Sequence, residues 1–278
     1  MRALRRSRYD VALDFQGLWK SAAWARLAGA RRVLGYDRHW RREGASVLLV
    51  PERVTPPPSL AHVIDKNLAL LRALGIEAAG ARTFPLPPLE RQSAAVGAGL
   101  RQLAINNDDS DALVVLNPGG GWSGKLWPAA RFGELARALR LRGFRALVTW
   151  GPGEEDLAER VVAASDGAAV RCFPTTLLEL GALARRARLF VAADTGPLHL
   201  ACALGAPVVA LFGPTDPARN GPFADDDLVV SRRPACFPCH RRRCPTHAGV
   251  MDTLPVDEVL AAAERRLARV APVRSLAL

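Results

Sequence analysis

The sequence predicts an α/β protein in which parallel sheets carry helices on both faces. Three observations lead there. Short apolar runs alternate with longer amphipathic ones along the chain, the amphipathic runs repeat every 3.6 residues, and Gly, Pro, Asn and Asp mark the junctions. At about 150 residues per domain, a length of 278 residues makes two compact domains, each able to bury a core.

The elements follow in order. Tyr9–Phe15 reads as a buried strand, Leu18–Ala28 as a helix and Arg32–Gly35 as a short strand. Ala61–Leu74 is a helix that Gly75 stops. Asp111–Leu116 is a strand, Ala129–Leu141 a helix closed by Gly143, and Arg145–Trp150 a strand. Glu154–Ala164 and Thr176–Arg186 read as helices, followed by a strand at Leu189–Ala193. A short helix at Pro197–Leu204, a strand at Val208–Phe212 and a helix at Asp257–Val270 complete the pattern. Pro85–Pro88 opens a stretch of lower order that holds one helix and runs to the polar Asn106–Asp111, so the domain boundary is expected near residue 105. The expected division is residues 1–105, 106–255 and a C-terminal helical segment, 256–278.

Composition narrows the function. Apolar residues make up 49% of the chain and charged ones 23%, a mixture that excludes intrinsic disorder. No apolar run reaches the roughly 18–20 residues of a membrane helix. The opening Met1–Asp10 is basic without an apolar stretch behind it, unlike a secretory leader. Five cysteines, an odd number, fit reduced thiols and a cytoplasmic protein. The 38 basic side chains outnumber the 27 acidic ones, but only three are lysines (Lys20, Lys66 and Lys125), and the arginines are scattered. Nucleic-acid binders concentrate such charge and interleave it with aromatics; at 6% aromatic, no nucleic-acid partner is expected here. A basic surface facing anionic lipid head groups or an acidic glycolipid fits the same balance.

Three loops carry candidate chemistry. Asn117-Pro118-Gly119-Gly120-Gly121-Trp122-Ser123-Gly124-Lys125-Leu126-Trp127-Pro128 lies between a strand and a helix, off a strand C-terminus where doubly wound sheets bind ligands. Its glycines let backbone N–H groups approach a phosphate, and Lys125 adds a point charge suited to a diphosphate. A plain Gly-rich surface loop anchored by Trp122 and Trp127 is the alternative. Asp194-Thr195-Gly196-Pro197-Leu198-His199 sits where a buried strand turns into a helix whose first position is Pro197. The free N–H groups at Thr195 and Gly196 attract anions, and His199 lies in the first turn. Asp194 is alternatively a simple helix cap, and His199 a core histidine. Trp150-Gly151-Pro152-Gly153-Glu154-Glu155 offers a carboxylate to ribose hydroxyls or, alternatively, to the helix dipole. Together the three loops outline a nucleotide-diphosphate pocket. Cys236-x2-Cys239-x4-Cys244-x2-His247 has zinc-like spacing, yet the crowded loop fits a reduced thiol cluster better, and no metal or other cofactor is expected.

Asp14-Phe15-Gln16-Gly17-Leu18-Trp19-Lys20-Ser21, the Asn117–Pro128 loop, Asp194–Ala201 and Leu211-Phe212-Gly213-Pro214-Thr215-Asp216-Pro217 together resemble the bacterial ADP-heptose:lipopolysaccharide heptosyltransferases, the family 9 glycosyltransferases. The resemblance spans nearly the whole chain. It implies a GT-B architecture, two Rossmann-like domains facing a cleft, with the acceptor on the N-terminal side and an ADP-sugar on the C-terminal side. It implies inverting transfer of a heptose or similar sugar to a lipid-linked glycan of the envelope, at the cytoplasmic face of the inner membrane. Donor contacts fall on Gly119, Gly120, Ser123, Lys125, Glu155 (or its neighbour Glu154), Asp194, Thr195, Gly196 and His199, with Lys125 and Asp194 as the catalytic pair. Lys20 and Ser21 fall near the acceptor. Family members open with a strand and a Gly-Asp loop whose Asp is the proposed base. Here Met1-Arg2-Ala3 directly precedes a later strand, so the first domain reads as truncated and the base stays unassigned. A catalytically inactive nucleotide-sugar-binding remnant is the alternative function. A fourth Cys common in relatives is replaced by Val250, before Met251.

Overall fold

The computed structural model describes residues 1–78, 80, 82–105, 112–239 and 249–270. They form two compact units, Met1–Thr83 and Phe84–Leu278. The division therefore falls some twenty residues before the expected one. The reason is helix α4, Glu90–Gln102 (numbered after α1, Arg2–Arg6; α2, Trp19–Leu27; and α3, Val63–Ala69). Its Val96 and Leu100 are buried in the same core as Leu180 and Leu183, so it belongs to the second unit.

The first unit has a three-stranded parallel sheet, β1 (Val11–Asp14), β2 (Arg32–Tyr36) and β3 (Glu52–Val54), in that spatial order. β3 escaped the sequence pattern because three residues, Glu-Arg-Val, are too few to display a period. The helix expected over Ala61–Leu74 is α3 followed by a 3₁₀ turn at Leu70–Leu74, ended by Gly75 in the left-handed region at φ +73°. The core is small: Ala22, Ala30, Val33 and Val50, with Ala12, Ala25 and Leu49 against it. Beside it lies a fully buried ion pair between Arg41 and Asp14, at the end of β1. Asp14 Oδ1 accepts the N–H groups of Gln16 and Gly17, each at 3.2 Å. Arg41 donates onward to Ser46 Oγ (2.8 Å) and Tyr36 O (3.2 Å). Such a pair survives burial because the charges neutralise each other and each guanidinium nitrogen of Arg41 finds an acceptor.

The second unit is a six-stranded, wholly parallel sheet. Its strands are β4 (Leu113–Asn117), β5 (Arg145–Val148), β6 (Ala169–Arg171), β7 (Leu189–Ala193), β8 (Val208–Phe212) and β9 (Leu228–Ser231). Their spatial order is β6-β5-β4-β7-β8-β9. Chain progress runs outward from β4 in one direction, then returns and runs outward from β7 in the other, so the topological switch lies between β4 and β7. All residues of β4, β7 and β8 are buried, which explains their continuous apolar sequences. β6 and β9, which sequence periodicity did not separate from loop, are the short strands at the two edges.

Alternate side chains enter two cores. Val114, Leu116, Val191, Val209 and Leu211 pack under α5 (Ala129–Arg140) and α6 (Glu155–Ala164). The same core holds Val259, Ala262 and Ala263 of the C-terminal helix, which lies on this sheet and is part of the second unit. Leu113, Val115, Phe190, Val208 and Phe212 pack with α4, α7 (Leu177–Arg186) and α8 (Gly196–Ala203) on the other face. The stripe Phe132, Leu135, Ala136, Leu139 makes α5 amphipathic, and a Thr176/Glu179 capping box starts α7. α9 (Pro217–Asn220) and α10 (Val256–Ala268) complete the helices.

Two substitutions test this packing. A Cβ on Gly133 of α5 would lie 2.6 Å from the Ala164 carbonyl carbon of α6, so Gly133→Ala is expected to cost about 1–3 kcal/mol and lower Tm by roughly 2–12 °C. An unchanged melting curve would refute that contact. Asp14→Ala leaves Arg41 buried without its carboxylate and should cost about 3–5 kcal/mol in urea denaturation, whereas the double change Asp14→Leu/Arg41→Met should cost clearly less.

Candidate functional site

Parallel strands all end on one edge of their sheet, so the loops after β4, β5, β7 and β8 emerge side by side. The loop after β4 starts at Asn117, buried at the strand end, with Nδ2 donating to Thr149 Oγ1 at 3.0 Å. Its Oδ1 is the buried side-chain oxygen left without a partner among the described residues, at the switch point where a ligand would lie. Farther along, Trp127 is buried and donates from Nε1 to Leu254 O (2.9 Å), which pins the loop to the unit's body. Between these anchors a 3₁₀ turn, Ser123–Lys125, presents the lysine.

Lys125 reaches across the switch point to the loop after β7. Its Nζ lies 2.6 Å from Asp194 Oδ2 and 3.1 Å from Asp194 O, and 4.5 Å above the Trp122 ring. The pair is secluded: the lysine side chain is 14% exposed and the aspartate 3%. Asp194 collects two further donors. Thr215 Oγ1, at the end of β8, donates to Oδ2 at 2.7 Å, and His199 Nε2 lies 3.2 Å from Oδ1. Burial alone would raise the aspartate's pKa. Hydrogen bonds from His199, Lys125 and Thr215, with the lysine charge, outweigh it and hold the carboxyl well below the usual carboxylate range.

Asp194, expected with Lys125 as the catalytic pair, is not an unpartnered carboxylate. A carboxylate so saturated with donors is a fixed anion that holds other groups in place. Nor is it a helix cap: Thr195 is the N-cap of α8, and Thr195 Oγ1 donates back to Ala193 O instead of capping. The first N–H groups of α8 thus keep no side-chain acceptor of their own from the cap. His199 is half exposed, not a core residue.

Glu154 connects the other two loops. Its Oε1 accepts the Gly120 N–H (3.0 Å) and its Oε2 the Gly151 N–H (2.9 Å). A Cβ on Gly119 would fall 2.1 Å from that carboxylate, so the glycine is what admits it. Of the two neighbouring acids, Glu154 therefore faces the Gly-rich loop, while Glu155 is the first helical residue of α6. Ser123 is exposed and, like Glu155, stays outside this hydrogen-bonded set. Lys20 and Ser21 lie in the first turn of α2 in the first unit, where they line a groove of 810 Å³ with Leu13, Asp14 and Trp24. Ser21 Oγ accepts the Leu18 N–H at 3.2 Å, so it caps its own helix. Sequence reasoning gives Thr215 of the Phe-Gly-Pro-Thr-Asp-Pro run no role; the signal for one is its small polar side chain three residues past the end of a buried strand. Among the described residues no group of three or more His, Cys, Asp or Glu could hold a metal ion. Cys244 and His247 of the zinc-like run lie outside the described residues.

A wholly parallel doubly wound sheet whose loops gather a lysine, an uncapped helix start and a carboxylate at the switch point defines a Rossmann-like unit. The profile of Glycosyltransferase family 9 (heptosyltransferase) matches residues 1–248, and the chain belongs to that family. It is 33% identical over 240 residues to Lipopolysaccharide heptosyltransferase 1 of Pseudomonas aeruginosa, covering 85% of this chain and 63% of that protein. The glycosyl transferase family 9 structure from Veillonella parvula superposes with a TM-score of 0.77 at 19% identity, covering 97% of this chain and 78% of that one. The E. coli heptosyltransferase WaaC, solved with ADP, superposes with a TM-score of 0.70 at 24% identity, covering 95% and 76%. These likenesses give the fold, the GT-B class of α/β proteins. The chain spans 63% of the length of the first two curated relatives.

The Asp194 network predicts a pH signature. Because the folded pKa lies below the unfolded one, ionised Asp194 adds stability that is complete above the unfolded value of about 3.9 and is lost as pH falls toward the folded value. Asp194→Asn should cost about 3–5 kcal/mol at neutral pH by leaving Lys125 unpaired. Denaturant titrations should show that difference shrinking below about pH 4; a difference independent of pH would contradict the network.

Proposed function

We propose that this chain is an inverting glycosyltransferase that moves a heptose, or a closely similar sugar, from an ADP-sugar to a lipid-linked core glycan of lipopolysaccharide. The observation that carries the proposal is the Lys125–Asp194 pair at the β4/β7 switch point, beside the uncapped start of α8. The names of the relatives support the donor and acceptor classes.

In this reaction the acceptor oxygen bonds to the anomeric carbon as the bond to the diphosphate breaks, and the acceptor's proton leaves to a base. Negative charge grows on the departing diphosphate. Lys125 and the N–H groups at Thr195 and Gly196 lie where that charge develops, and each such donor is worth roughly 3–4 kcal/mol. His199, half exposed and tethered to Asp194, faces the same space as a donor to the phosphate or sugar. Glu154 fits the ribose hydroxyls as an acceptor; Gly119 admits it and the Gly120 N–H donates to it. Ser123 borders the donor, and Lys20 and Ser21 border the acceptor. The base is not assigned among these residues. No observation favours an inert remnant.

The cell context belongs to the same proposal. Among the described residues no helix is long and apolar enough to cross a membrane. With a net charge of +11, the protein works on the cytoplasmic side and touches anionic lipid head groups peripherally, where a lipid-borne acceptor is presented.

Lys125→Ala should weaken ADP binding about 10–100-fold and abolish ADP release from the ADP-sugar with acceptor present. Calorimetry with ADP measures the first and a coupled ADP assay the second. Unchanged ADP affinity would remove Lys125 from the donor site.

A further inference from the structure

We propose that Thr215 is a positioning residue of the donor site: its buried hydroxyl fixes the Asp194 carboxylate and, through it, the Lys125 ammonium. The inference deepens the donor-binding proposal above and rests on it.

Asp194 has to satisfy two partners in different directions. Oδ2 faces Lys125 and Oδ1 faces His199. A carboxylate held only by a lysine, a flexible stem with three rotatable donors, can swivel about its own bond. Thr215 Oγ1, 2.7 Å from Oδ2, adds a second donor from a different loop and removes that freedom. The hydroxyl is well placed to do so. Thr215 is 3% exposed and directly follows the buried strand β8 through Gly213 and Pro214. Its turn is braced from outside, because the Cys239 N–H donates to Pro214 O at 2.8 Å. Cys239 is itself buried, so the start of the C-terminal cysteine run acts as a strut beneath the turn. Loops after β4, β7 and β8 thus meet on one carboxylate, and Thr215 is the member with no charge of its own to offer a ligand.

The hydroxyl also helps to keep Asp194 ionised, one of several donors that do so.

The test is ADP binding by calorimetry at neutral pH for the wild type, Thr215→Val and Thr215→Ser. Valine matches threonine in shape and lacks the hydroxyl; serine keeps it. Thr215→Val should bind ADP about tenfold more weakly, and Thr215→Ser should restore the affinity. A melting curve for each variant identifies one that fails to fold, and the serine variant then decides alone: wild-type affinity supports the proposal, and weakened binding overturns it. If a folded Thr215→Val binds like the wild type, or Thr215→Ser is as weak as a folded Thr215→Val, the positioning role is overturned. If the wild type itself binds no ADP, the donor proposal falls and Thr215 falls with it.

Discussion

A single buried carboxylate holds the loops at the strand C-termini of the second unit in one arrangement. Asp194 ends β7 with its side chain out of water, and an isolated anion in such a place would be costly. It is tolerated because Lys125, Thr215 and His199 come to it from three directions. Asp227 provides the contrast within the same unit. It too is buried, with Arg266 Nε at 2.9 Å and the Val208 N–H at 3.0 Å on Oδ1. There burial outweighs the donors and its pKa is raised. The two sites differ in how many donors each carboxylate collects, and that difference separates a fixed anion from a strained one.

The topology explains why the donors can gather. With β4 and β7 adjacent and their following helices on opposite faces, the chain diverges at the switch point and leaves a crevice. A lysine from one side and an aspartate from the other span it at 2.6 Å. The Gly-rich loop then needs an acceptor for its own N–H groups, which Glu154 supplies, and Gly119 must lack a side chain for that carboxylate to fit. Each residue is constrained by another, as expected of a preorganised site.

Much of this was legible in the sequence, for definite reasons. β4, β7 and β8 are buried on both faces and so read as unbroken apolar runs, and α5 carries a clean stripe from Phe132 to Leu139. The loops bearing Lys125 and Asp194 stood out because unusual residues crowd a strand-to-helix junction. The short strands β3, β6 and β9 were not legible, since three or four residues at a sheet edge or a small sheet show no period. The domain division was misplaced because α4 earns its place through Val96 and Leu100 packing on α7, a long-range fact invisible to local composition. The choice between Glu154 and Glu155 depended on one residue at the start of a helix, and the part played by Thr215 on a contact 21 residues away in sequence.

The most direct measurement is a crystal structure of the protein with ADP bound. The account predicts the diphosphate at the β4/β7 switch point, within hydrogen-bond reach of Lys125 Nζ and the Thr195–Gly196 N–H groups, with Asp194 still holding the lysine. A nucleotide seated on another edge of the sheet, leaving the Lys125–Asp194 pair untouched and distant, would contradict it.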